Sequence, residues 1–216
     1  TKNAPYAATA EVKPTTAADS LRISTNKSSV PAFTVIVAVP PPTPVTIPLL
    51  LTVATDVFDD EYVIAGQGTI SLEILEQLEN VDTIVCPIGG GGIISGVAVA
   101  AKALKPSIKI VGVQTSNIPS MKASLEKGEV TSAFNDVTIA DGIAVKTPGD
   151  LTFSLIKDLI DEIIVVDEEE IAQAILFLME HQKVVSEGAG AVSTAAILSG
   201  KYVPQKGENL QLVVSE

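Results

Sequence analysis

Four consecutive glycines, Gly89 to Gly92, stand between the apolar run "TIVCPI" and the alanine-rich segment "ISGVAVAAKAL". Each glycine costs roughly 0.5–1 kcal/mol in regular structure through lost backbone freedom, so four in a row need a reason. The patterning places them after a strand ending at Ile88 and before a helix starting near Ile93. Backbone amides there can point into a concavity at a helix N-terminus, where unpaired N–H groups and the helix dipole favour an anion such as phosphate. Glycine also lets the anion approach the backbone closely. An ordinary strand-to-helix turn needs only one or two glycines. No Lys-Ser or Lys-Thr pair follows the tetrad, which disfavours a nucleoside triphosphate.

Other residues that could do chemistry have plainer readings when taken alone. Asp141 and Gly142, in "TIADGIAV", form a pair common in turns. Glu187, in "SEGAGA", reads as a carboxylate at the N-terminus of the helix that includes Thr194 to Leu198, where the dipole stabilises it. Ser215, in "LVVSE", reads as the end of an edge strand. The single histidine, His181, closes "ILFLMEH" and suits a helix C-terminal cation. The acidic run Asp167 to Glu170 opens a helix and complements its dipole, so no metal is expected there. Cys86 reads as a buried strand residue.

The elements that must position these residues alternate regularly from Asp56 onward. Strand-length runs "TIVCPI", "IKIVGVQ", "EIIVVD" and "LQLVVS" alternate with the helical patterns "ISGVAVAAKAL", "DLTFSLIKDLI" and "EEEIAQAILFLMEH". Continuous apolar strands are buried on both faces, which predicts an α/β fold with a parallel sheet flanked by helices. Ligands of such sheets lie beyond the carboxyl ends of the strands. Residues 1–56 differ: Thr1 to Lys27 shows little periodicity, and Val30 to Thr55 is charge-free and broken by Pro31, Pro40, Pro41, Pro42, Pro44 and Pro48. So many prolines disfavour a membrane helix and favour short strands such as "FTVIVAV". The division expected is a poorly defined N-terminal segment, 1–56, and a phosphate-binding domain, 57–216.

A chain of 216 residues with 46% apolar content can bury a full core. Its net charge of −12 and lone Arg22 exclude the basic clusters that nucleic acid or an anionic membrane needs, leaving a small molecule as the expected partner. One cysteine permits no internal disulfide, and the N-terminus lacks the pattern of a secretory signal. A cytoplasmic location is the expectation.

The segments "VIAGQGTISLEILEQL", "PIGGGGIISGVAVAAKALKP", "VGVQTSNIPSMKASLEKGE", "TIADGIAVKTPGDLTF" and "KVVSEGAGAVSTAAILSGK" resemble, in that order, the pyridoxal-phosphate threonine dehydratases (threonine ammonia-lyases) and their serine dehydratase and serine racemase relatives. The resemblance runs from about Phe58 to the C-terminus. It implies a tryptophan-synthase-β-like (fold type II) enzyme with pyridoxal 5'-phosphate as cofactor, an amino acid as substrate, and assembly as a homo-oligomer. It further implies that Gly89, Gly90, Gly91 and Gly92 hold the phosphate, that Asp141, Gly142 and Glu187 lie beside the cofactor ring, and that Ser215 hydrogen-bonds the pyridine nitrogen. The implied reaction removes water from L-threonine, and hydrolysis of the unsaturated amine that results takes a water back and releases ammonia, giving 2-oxobutanoate. Serine racemase, serine dehydratase and a non-catalytic fragment that binds the cofactor are the alternatives.

The chain departs from that family in two respects. Racemase-like members bind a divalent cation at positions that here carry Gln114 and Ser120, so no metal is implied, and the shorter catabolic type is the nearer resemblance. The motif S-F-K-x-R-G, with the Schiff-base lysine, and the substrate-carboxylate loop S-x-G-N-H do not occur. Lys27, in "STNKSSV", is the nearest lysine but has a different context, so no catalytic lysine is assigned. An N-terminal part that is missing or poorly assigned is the expectation.

Overall fold

The computed structural model describes the backbone of residues 9–11, 20–24 and 33–37, and residues 63–215 apart from 79 and 134–136. Three short strands come first: β1 (Thr9–Glu11), β2 (Ser20–Ser24) and β3 (Phe33–Val37). Then follow α1 (Thr69–Gln77), β4 (Thr83–Pro87), α2 (Gly92–Leu104), β5 (Lys109–Thr115), α3 (Ser120–Lys127), α4 (Asp150–Leu159), β6 (Glu162–Val166), α5 (Glu168–Phe177), α6 (Gly188–Leu198) and β7 (Leu210–Val214). They build one sheet in the order β1-β2-β3-β7-β4-β5-β6. The pairs from β3 to β6 are parallel, as the apolar runs predict. The pairs β1–β2 and β2–β3 are antiparallel, an addition the sequence does not announce.

Every residue of β4 and β7 is buried, because helices cover both faces of the sheet. Side chains alternate across a strand, and the core divides accordingly. Val85, Leu212 and Val214 point toward α5 and α6, where they meet Ile171, Ala174, Val192 and Ala195. Ile84, Cys86 and Val213 point the other way, toward Ile94, Val97, Met121 and Ile156 of α2, α3 and α4. Burial pushes the Cys86 thiol well above its ordinary pKa, so it stays protonated and inert. No helix among the described residues is long and apolar enough to cross a membrane.

Two expectations change. Ser215 does not end an edge strand: β7 pairs with β3 on one side and β4 on the other, because β3 supplies a parallel partner from far upstream. "EEEIAQAILFLMEH" is not one α-helix, since α5 stops at Phe177 and widens into a π-turn over Leu178–Gln182. His181 lies in that turn, stacked on the Phe177 ring at 4.6 Å. β3 shares its sheet with β7, whereas the boundary at 56/57 and Lys27 lie outside the described residues.

At the amino ends of the strands one carboxylate ties three segments together. Glu208 accepts hydrogen bonds from Tyr202 Oη (2.5 Å), Thr83 Oγ1 (2.5 Å) and the Gln205 N–H (2.7 Å). Burial pushes its pKa up, but these donors and the Lys109 ammonium outweigh burial and leave it below the ordinary value. A carboxylate depressed in the folded state stabilises the fold above its unfolded pKa and loses that contribution as pH falls through the folded one. Urea midpoints should therefore drop on acidification below the ordinary carboxylate range. The Glu208→Gln variant should begin less stable and lose less across the same interval; parallel curves would exclude Glu208 from the acid response.

Candidate functional site

The tetrad leaves β4 at the carboxyl edge of the sheet and enters α2. Gly91 caps that helix with φ +99°, a left-handed conformation that side chains disfavour. A Cβ there would sit 2.8 Å from Ile156 Cδ1, 2.9 Å from Thr152 Cβ and 3.0 Å from Met121 Cε, so α3 and α4 back the loop tightly. The amides of Gly89, Gly90 and Gly91 donate to no described residue, and the first bond into the helix is Ser95 N–H to the Gly91 carbonyl. Free amides at a helix N-terminus, on residues that carry no side chains of their own, fit a phosphate group.

The Asp141–Gly142 pair opens a single 3₁₀ turn, Asp141–Ile143. That turn links the tetrad to the other candidates. Ile143 Cα lies 3.0 Å from where a Gly89 Cβ would be, and a Gly142 Cβ would lie 3.5 Å from Glu187 Oε1. Asp141 is exposed and its carbonyl accepts the Ala144 N–H at 3.0 Å. Glu187 is the N-cap of α6, but its side chain makes no cap bond and instead accepts the Ser215 hydroxyl at 3.0 Å. Ser186 Oγ donates to the Ser215 carbonyl at 2.9 Å, fixing the strand end. Gly142, Glu187 and Ser215 thus form one group beyond β7, and the tetrad lies beyond the neighbouring β4.

Some positions serve the protein itself. The Gln114 side chain accepts the Lys122 N–H at 2.9 Å, and Ser120 Oγ donates to the Val145 carbonyl at 2.6 Å. Among the described residues no three His, Cys, Asp or Glu side chains gather as a metal site. Asp167 and Glu170 form a reciprocal capping box on α5, as an acidic helix start should.

Glu168, read in the sequence only as part of that acidic run, does something more specific. Its Oε1 accepts from Thr138 Oγ1 (2.6 Å) and Thr115 Oγ1 (3.0 Å), and its Oε2 accepts the Ile139 N–H (2.7 Å). The loop segment leading to Asp141 and Gly142 is thereby tied to α5 and β5. In Glu168→Gln an NH₂ must face one of these donors, at an expected cost of about 1–3 kcal/mol. A lower denaturation midpoint together with faster exchange of the Ile139 amide is the expected result; an unchanged exchange rate would remove Glu168 from the tether.

The family described as "Pyridoxal-phosphate dependent enzyme" matches residues 52–215. The L-threonine ammonia-lyase of Thermotoga maritima is 57% identical over 158 residues, 73% of this chain and 39% of its own length. The chain therefore spans about two fifths of that relative. Among solved structures, maize serine racemase superposes with a TM-score of 0.66 at 40% identity over 70% of this chain and 47% of its own. The processed form of threonine deaminase isoform 2 from Solanum lycopersicum gives 0.65 at 35% identity, over 70% and 45%. These are fold type II enzymes, and the helix-flanked parallel sheet described above is theirs. By the extent of the family match, the chain belongs to the pyridoxal-phosphate dependent enzymes.

Proposed function

We propose that residues 57–216 form the phosphate-holding domain of a pyridoxal-phosphate-dependent ammonia-lyase that converts L-threonine to 2-oxobutanoate and ammonia. The observation that carries the reading is the tetrad: unpaired amides of Gly89 to Gly91 at the N-terminus of α2, beside Gly142, Glu187 and Ser215 at the same edge of the sheet. Its similarity to an L-threonine ammonia-lyase supports the choice of substrate.

Pyridoxal phosphate, when bound, supplies an electron sink for bond breaking at the α-carbon of an amino acid. Gly89 to Gly92 anchor its phosphate, and Asp141, Gly142 and Glu187 border its ring. Ser215 meets the ring nitrogen as a neutral group. A hydroxyl carries one proton, now donated to Glu187, so serving an unprotonated ring nitrogen requires Ser215 to turn from Glu187 toward it. A neutral partner leaves the ring a modest sink, which suits loss of a β-hydroxyl more than prolonged charge storage. The buried free thiol of Cys86 suits a cytoplasmic location, and assembly as a homo-oligomer in threonine catabolism belongs to the same reading.

Serine racemase is the second reading, supported by the likeness to the maize enzyme. Incubation with pyridoxal phosphate and L-threonine or L-serine separates them. Release of 2-oxobutanoate faster than pyruvate supports the ammonia-lyase, and accumulation of D-serine without ammonia overturns it. Borohydride reduction followed by peptide mass spectrometry then finds the Schiff-base lysine; no adduct in an inactive chain favours a non-catalytic cofactor-binding fragment.

A further inference from the structure

A run of glycines offers free amides, but by the same chemistry it does not hold them in place. With no side chain on either residue, the Gly90–Gly91 peptide can rotate between orientations at little cost. Something must select the one that aims its N–H outward.

Thr152, in the first turn of α4, is placed to do so. Its hydroxyl oxygen lies 2.6 Å from the Gly90 carbonyl and 3.0 Å from the Gly149 carbonyl. One hydroxyl has one proton. The Gly149 carbonyl already accepts the Phe153 N–H at 2.9 Å, whereas the Gly90 carbonyl has no other donor among the described residues. The proton therefore goes to Gly90. Thr152 is buried, and its Cβ packs against the α-carbon side of Gly91. Because a trans peptide is planar, its C=O and N–H point in opposite directions. Drawing the Gly90 carbonyl toward α4 thus turns the Gly91 N–H away from α4. Gln114 Nε2 holds the other end more loosely, 3.4 Å from the Ile88 carbonyl.

We infer that Thr152 is a positioning residue for the anion site: it orients the Gly90–Gly91 peptide so that the Gly91 amide faces the phosphate of the cofactor. This rests on the tetrad being the phosphate site. The residue touches no ligand atom; it acts through the loop.

Calorimetric titration of the full chain with pyridoxal phosphate, pyridoxal and inorganic phosphate tests it. Thr152→Val keeps the shape and removes the donor. It should bind pyridoxal phosphate and inorganic phosphate about tenfold more weakly and pyridoxal as the unaltered chain does. Thr152→Ser should restore the affinity, and Thr152→Ala provides a second donor-free variant if the valine does not fold. Equal phosphate affinity in the unaltered chain and either donor-free variant overturns the role of Thr152 while leaving the tetrad as the site. Equal losses for pyridoxal and pyridoxal phosphate, unrescued by serine, also overturn it, since a general loosening does that. If the unaltered chain binds neither phosphate compound, the tetrad reading falls and this inference with it.

Discussion

Replacing Gly90 with aspartate is expected to abolish retention of pyridoxal phosphate while leaving the sheet folded. A Cβ at Gly90 has room, its nearest described neighbour being Val145 Cγ1 at 3.7 Å. The substitution therefore adds charge more than strain. A carboxylate a few ångströms from a phosphate, at a helix N-terminus that otherwise attracts anions, opposes binding by several kcal/mol in a partly desolvated setting. Affinity should fall at least about a hundredfold. Gly90→Asn isolates the charge, and its loss should be much smaller. Equilibrium dialysis checks both, with circular dichroism as the control for folding. Equal losses for Asp and Asn would mean that bulk, not charge, governs the loop.

Gly190→Ala carries a large expected effect on the fold. A Cβ at this position would lie 2.1 Å from the Ser215 carbonyl oxygen and 2.6 Å from its nitrogen. Those are backbone atoms at the end of a central strand that pairs on both sides. They cannot step aside as a flexible side chain would. Either α6 lifts from the sheet or Ser215 moves, breaking its bonds with Ser186 and Glu187. Overpacking of this kind costs about 2–4 kcal/mol, a fall in Tm of roughly 5–15 °C for a chain of this size. Differential scanning calorimetry measures it. A melting temperature within a degree or so of the unaltered chain would show that α6 does not depend on this close approach.

The parts of the structure legible in the sequence are those governed by local chemistry. Apolar runs gave β4 to β7 because strands covered on both faces need no polar alternation. The tetrad announced a helix N-terminus because few other settings call for four glycines together. What escaped depends on distant partners. Thr152 meets Gly90 across 62 residues, and Glu168 meets Thr138 across 30. In one dimension the first is an ordinary helix-start threonine and the second one acid among four. Strand order is equally silent. Nothing within "LQLVVS" shows that β3 will lie beside it, so Ser215 reads as an edge residue although it ends a central strand. The glycines of "SEGAGA" did carry a signal: small residues alternating at a helix start mark a backbone that must come close, and Gly190 against Ser215 is that contact.

An amide NMR titration of the labelled chain with inorganic phosphate and then with pyridoxal phosphate tests the phosphate site most directly. The ligand reports on individual N–H groups, independently of activity or of any lysine. If the tetrad cradles the phosphate, the Gly89, Gly90 and Gly91 amides, which donate to no described residue, should shift downfield and saturate with both compounds, and the Ser215 amide should move only with pyridoxal phosphate. Saturable shifts elsewhere on the chain, with these glycines unmoved, would place the phosphate away from the tetrad.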